Sequence, residues 1–148
     1  MINAEAIHKS FEDFTALDNV TCNISDGCIY GMVGSNGAGK STFLRVLSGV
    51  YKPDKGYAFI DGLNVYENPK AKQKIVFVAD DLYFLPGATL NKMAKLYASA
   101  YDRFDWARFK ELTKLFGLDP KKSISNFSKL KTSFGISISV KNFAPALT

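Results

Sequence analysis

Residues Gly34-Ser35-Asn36-Gly37-Ala38-Gly39-Lys40-Ser41, with Thr42 next, constrain this chain more than any other stretch. They fit G-x-x-x-x-G-K-[ST], the phosphate-binding loop called Walker A. Glycines let the backbone curl until successive N–H groups converge on a polyphosphate. Lys40 brings a cation to the β- and γ-phosphates, and the Ser41 hydroxyl is a ligand for Mg²⁺. A helix beginning here adds its positive N-terminal end. The motif needs a strand before it and a helix after it. Cys28-Ile29-Tyr30-Gly31-Met32-Val33 is an apolar run of strand length. From Ser41 to Gly49 the spacing sets Phe43, Leu44, Val46 and Leu47 on one helical face, and Gly49 suits the C-cap.

Composition narrows the setting. The chain has 148 residues, 47% of them hydrophobic, which is enough for the core of one domain. Cys22 and Cys28 show no metal-ligand pattern, and no signal peptide stands out, so a reducing cytoplasm is expected. No apolar run approaches the roughly 18 residues of a membrane span. The net charge of +5 is dispersed over Lys70–Lys74, Lys121–Lys122 and Lys129–Lys131. That spread reads as a solvated surface rather than a nucleic-acid interface.

Ile2 to Ile7 and Val20 to Ile24 read as strands, with Phe11-Glu12-Asp13-Phe14 between them. Asp26-Gly27 is a turn signal that would pair the second strand with Cys28–Val33. Tyr51-Lys52-Pro53-Asp54-Lys55-Gly56 has loop chemistry, Tyr57 to Ile60 reads as a short strand, and Asp61-Gly62 as a turn. Ile75 to Val78 reads as a strand buried on both faces, running into Asp80-Asp81. From Thr89 to Phe116 the period becomes helical. Met93, Leu96 and Tyr97, then Phe109, Leu112, Leu115 and Phe116, mark two core-facing stripes. Thr89 and Asp105 suit the two N-caps, and Gly117 closes the second helix.

Walker A alone does not separate transporters from kinases or GTPases. Its surroundings do: Lys9-Ser10-Phe11, Ala16-Leu17-Asp18-Asn19-Val20, Ser41-Thr42-Phe43-Leu44, Pro53-Asp54-Lys55-Gly56 and Asp61-Gly62. In this order they resemble the nucleotide-binding subunits of ABC transporters, from Met1 to about Lys129. The resemblance implies an α/β P-loop NTPase with an N-terminal antiparallel β subdomain, a partial parallel core sheet and a helical subdomain. It implies ATP and Mg²⁺ as cofactors, with the phosphates on Gly34–Thr42 and the base on Phe11, where the family carries a stacking aromatic. The alternative for Phe11 is a core residue. It also implies a transmembrane permease subunit and a second nucleotide-binding subunit as partners, at the cytoplasmic face of the membrane. The Asp80 loop and the Thr89–Phe116 helices would meet the permease. No Asn-Lys-x-Asp guanine-reading motif or lid arginine cluster supports an unrelated P-loop enzyme.

Two matched positions depart from the family. Asp80 stands where the family usually has a glutamine that reaches Mg²⁺; either it replaces that ligand or it belongs to a solvated acidic loop. Ser125-Asn126-Phe127-Ser128-Lys129 resembles the opening of the Leu-Ser-Gly-Gly-Gln signature, but Leu130 replaces the next glycine, and its side chain would crowd a γ-phosphate. Beyond Lys129 the resemblance stops. The family's Asp-Glu strand and later histidine are absent from these 148 residues, whose single histidine is His8. The division expected is therefore a partial nucleotide-binding domain, 1–129, and an atypical tail, 130–148. An edge left unpaired beside Cys28–Val33 makes the fold marginal.

The tail mixes strand formers with serines. Back-translated one base forward, Lys131-Thr132-Ser133 permits Arg-Gln-Ala, and Lys141–Pro145 permits an apolar strand. A one-base shift near codon 130 is one account of it, and a native short variant is the other. The functional expectation is ATP binding without family-type hydrolysis; the alternative is a non-catalytic regulatory module that pairs with a full-length subunit.

Overall fold

A computed structural model describes residues 1–78 and 86–126. The chain divides into two units, Met1–Phe77 and Val78–Thr148. Asp80 and the segment from Phe127 onward, including Ser128, lie outside the described residues, as does the reading of the tail.

The first unit is built on a sheet of order β2-β1-β3-β4, formed by β1 (Ile2–Phe11), β2 (Phe14–Ile24), β3 (Lys55–Ile60) and β4 (Leu63–Asn64). Every pairing in it is antiparallel. β1 and β2 run longer than the alternation of their side chains indicates, because bulges break the period. Between Ala4 and Ile7 one extra residue sits in β1 against β2, and Ala6 takes a left-handed φ of 48°. The bulge turns Ala4 and Ile7 to the same buried face although they are three residues apart. The Ala6 N–H, displaced from the ladder, donates to Thr21 Oγ1 at 2.9 Å. Asp61 and Gly62 both have positive φ, as a two-residue hairpin turn between β3 and β4 requires.

Helix α1 (Lys40–Leu47) packs Phe43, Val46 and Leu47 into a core with Ala4, Ile7, Leu17, Ala58, Ile60 and Val65. Leu44, expected on the same face, is exposed: an eight-residue helix over a sheet has room for one stripe, and Leu44 falls beside it. A short helix, α2 (Pro69–Lys72), follows; the Asn68 side chain caps it by accepting from the N–H groups of Lys70 and Ala71.

Two expected strands of the parallel core are not formed among the described residues. Cys28–Val33 carries no ladder, and Ile29 and Val33 are 97% and 98% exposed. A lone strand has no partner for its N–H and C=O groups, so extended apolar sequence alone does not make sheet. Only Met32 of this run packs against the core. The antiparallel pairing of Cys28–Val33 with β2 across Asp26-Gly27 is likewise not formed. In Ile75–Val78, expected to be buried on both faces, Val76 is buried but Val78 is exposed.

In the second unit, α3 (Leu90–Ala100) and α4 (Trp106–Leu115) start and stop where the caps indicate. Thr89 Oγ1 accepts from the Lys92 N–H, and the Asp105 carboxylate from those of Ala107 and Arg108. At the end of α4, the Gly117 N–H donates to Lys114 O and the Leu118 N–H to Thr113 O, a Schellman closure. Leu90, Met93, Ala94, Phe109, Leu118 and Ile124 form its core, so Phe109 is a packing residue. Leu96 and Leu115, read as core, are exposed.

Asp61 ties the edge of the first unit together. It accepts from Lys74 Nζ at 2.5 Å and from the Met1 α-amino group at 2.7 Å. The Lys74 hydrogen bond, then that of the α-amino group, lowers its pKa to about 2 from an ordinary 3.8. A carboxylate with a depressed folded pKa contributes stability that is complete above the unfolded value and is lost as pH falls through the folded one. Asp61→Asn, which tolerates the left-handed turn, is therefore expected to be less stable than wild type at pH 6. The gap should close between pH 3.8 and about 2, as read by urea unfolding.

Candidate functional site

The phosphate loop lies between the end of β2 and α1. Gly37 and Gly39 have φ of 86° and 83°, and Gly39 is the N-cap of α1. A Cβ on Gly39 would lie 2.3 Å from Ala16 O, so the loop is seated directly on the backbone of β2. Within the loop the Ala38 N–H donates to Ser35 O at 3.3 Å, and the Phe43 N–H opens the helical ladder on Gly39 O at 2.8 Å.

Lys40 folds back over the curl. Its Nζ donates to Gly34 O at 2.7 Å and to Ser35 O at 2.6 Å. An ammonium has three donors, so one stays directed away from these carbonyls. No side chain caps the start of α1. The first turn of α1 thus has N–H groups that no side chain caps, at the helix end that carries the Lys40 cation, a combination that suits an anion. Ser41 is exposed and Thr42 half-buried at the same helix start, while Ser35 and Asn36 are exposed on the loop. This donor set fits a polyphosphate. For Mg²⁺, Ser41 offers one hard oxygen, and the described residues hold no cluster of three or more His, Cys, Asp or Glu. A divalent ion here would take its remaining ligands from phosphate oxygens and water.

Phe11 ends β1 at the hairpin tip, 40% exposed and outside the core cluster. Its ring meets Tyr51 edge-on, with centroids 5.4 Å apart, and Lys9 Nζ lies 5.4 Å from its centroid. Lys9 and Asp54 fall within the family-like runs Lys9-Ser10-Phe11 and Pro53-Asp54-Lys55-Gly56, whereas Tyr51 carries no motif and stands in a stretch whose composition indicates only a loop. His8 lies in β1 with Nδ1 3.0 Å from Asp18. A groove of about 280 Å³, lined by residues including Lys52, Asp54, Tyr57 and Tyr66, takes in neither Phe11 nor Gly34–Thr42. No described helix is long and apolar enough to cross a membrane.

Loop and helix together form a P-loop, and comparison with known proteins gives its family. The ABC transporter family model matches residues 17–135. The chain belongs to that family. It is 27% identical over 128 residues to the ABC transporter ATP-binding protein YtrB of Bacillus subtilis, covering 86% of this chain and 44% of YtrB. The chain thus spans less than half the length of that relative. Among solved structures, the ATP-binding subunit of an ABC transporter superposes with a TM-score of 0.79 at 22% identity, over 93% of this chain and 60% of that one. A dimeric ATP-binding cassette bound to ADP and Pi superposes with a TM-score of 0.77 at 22% identity, over 94% and 69%. The fold is that of the ABC ATPase cassettes, present in part.

Gly39 and Gly37 share a left-handed backbone but not its surroundings, since a Cβ on Gly37 meets nothing within 4 Å. Gly37→Ala is expected to cost about 1 kcal/mol for the backbone alone. Gly39→Ala should cost about 2 kcal/mol or more, because the clash with Ala16 O adds to it. Urea unfolding of the two variants checks the difference; equal losses would remove the role given to the β2 contact.

Proposed function

We propose that this chain is the nucleotide-binding part of an ABC transporter subunit, holding ATP-Mg²⁺ with the phosphates on Gly34–Thr42 and the base on Phe11. The observation that carries this reading is the Lys40 ammonium, held over the loop by Gly34 and Ser35 at the uncapped start of α1. A cation fixed by neutral carbonyls keeps its full charge for an incoming phosphate and needs little reorganisation to meet it. Mg²⁺, when bound, neutralises polyphosphate charge; Ser41 would hold it, with Asp80 as a second proposed ligand. The exposed Phe11 ring offers its face to the base.

By descent the work of such a subunit is to energise transport by binding and hydrolysing ATP. It would act at the cytoplasmic face with a transmembrane permease subunit and a second nucleotide-binding subunit. For these 148 residues we propose binding without turnover. They contain no apolar strand sequence ending in Asp-Glu, and their one histidine, His8, is committed to β1. The second reading is a regulatory module that pairs with a full-length subunit, which an ordered C-terminal tail covering the edge beside Cys28–Val33 would favour.

Calorimetry with ATP-Mg²⁺ tests the first reading. Wild type is expected to bind, and Lys40→Ala to lose at least about tenfold in affinity, the cost of a charge-assisted contact. Binding unaffected by Lys40→Ala overturns it. In a steady-state assay neither protein should release phosphate above background.

A further inference from the structure

The Phe11 ring is held by a loop distant from it in sequence. As the terminal residue of a strand, beside Glu12 at φ 50°, an aromatic side chain would be free to take several rotamers. Here the loop after α1 closes on the end of β1 at four points. The Asp54 N–H donates to His8 O at 2.8 Å. The Asp54 carboxylate accepts from the Ser10 N–H at 2.7 Å and from Lys9 Nζ at 2.6 Å. Lys9 Nζ in turn lies near the Phe11 ring, and the Tyr51 ring presses on it edge-on. Farther along, Gly56 fits so closely over the β1 bulge that a Cβ there would lie 2.2 Å from Ala6 O.

The same loop is tied to the phosphate-loop helix. The N–H groups of Val50 and Tyr51 both donate to Arg45 O, at 2.8 and 3.0 Å. The Arg45 guanidinium lies 5.8 Å from the Tyr51 ring centroid. Arg45 stands in the last turn of α1, and Lys40 is the first residue of that helix. A continuous path thus runs from Phe11 through Tyr51 and Arg45 along a rigid helix to Lys40. The Lys9 hydrogen bond keeps the Asp54 carboxyl below its ordinary value of 3.8, so this pair stays ionised at neutral pH.

From this geometry we infer that Tyr51 is a positioning residue for the nucleotide base, which with Asp54 fixes Phe11 at a set distance from the phosphate loop. The inference rests on the nucleotide-binding reading above. A ligand held at both ends gains from each end only if their separation is preset; a loose stacking ring must be ordered at the moment of binding, at the expense of affinity. Tyr51 has no direct part in phosphate binding. Its loss should therefore be felt only by ligands that carry a base.

The test is calorimetry on the full chain with two probes, ATP-Mg²⁺ and inorganic tripolyphosphate-Mg²⁺. Tyr51→Ala is expected to raise the Kd for ATP about three- to tenfold, the weight of an edge-to-face aromatic contact, and to leave tripolyphosphate unchanged. Tyr51→Phe keeps the ring and should keep wild-type affinity for both. Asp54→Asn, which frees Lys9, should reproduce the ATP-selective loss if Tyr51→Ala does not fold. The inference is overturned if Tyr51→Ala and Asp54→Asn leave ATP binding intact, or weaken both probes equally. If wild type binds neither probe, or Lys40→Ala weakens neither, the nucleotide-binding reading falls and the inference falls with it.

Discussion

Helix α1 is pinned at both ends by backbone contacts that leave no room for a side chain. At its start, Gly39 lies against Ala16 O of β2; at its end, a Cβ on Gly49 would lie 2.5 Å from Val65 O. Between these points Phe43, Val46 and Leu47 bury one stripe in the sheet. Both glycines have left-handed backbone, so each serves at once as helix boundary and as contact surface. The direction of the phosphate loop, the reach of Lys40 and the departure of the Tyr51 loop all follow from where this short helix is held. Alone, eight residues would not be a stable helix; the sheet beneath supplies what propensity cannot.

Each unit carries its own hydrophobic cluster, and the two differ in how their elements are specified. In the helical unit the decisions are local: a hydroxyl or carboxylate two or three residues from the N–H it caps, a glycine just past the end of the helix. Such signals are readable in sequence, and Thr89, Asp105 and Gly117 were legible there. The phosphate loop was legible for the same reason, since its chemistry lies in consecutive residues.

What could not be read depends on partners far along the chain. Bulges at Ala6 and near Asn19 move residues between faces, so the alternation that marks a strand fades within β1 and β2 although the ladder continues. Leu44, Leu96 and Leu115 sit at apolar spacing but beside their stripes rather than on them, and only the width of the opposing surface decides that. Cys28–Val33 has the composition of a strand, but a strand exists only where another backbone lies alongside. Tyr51 looked like part of a turn because its partners, Phe11 and Arg45, lie in other elements. Local chemistry was visible, and pairing was not.

The exposed apolar residues of Cys28–Val33 also bear on the life of the chain in a cell. Quality-control chaperones and proteases engage exposed apolar polypeptide, and in this stretch Ile29 and Val33 are 97% and 98% exposed. Among the described residues that run is open, so covering it would remove apolar surface from water and supply the ladder partners that a strand needs.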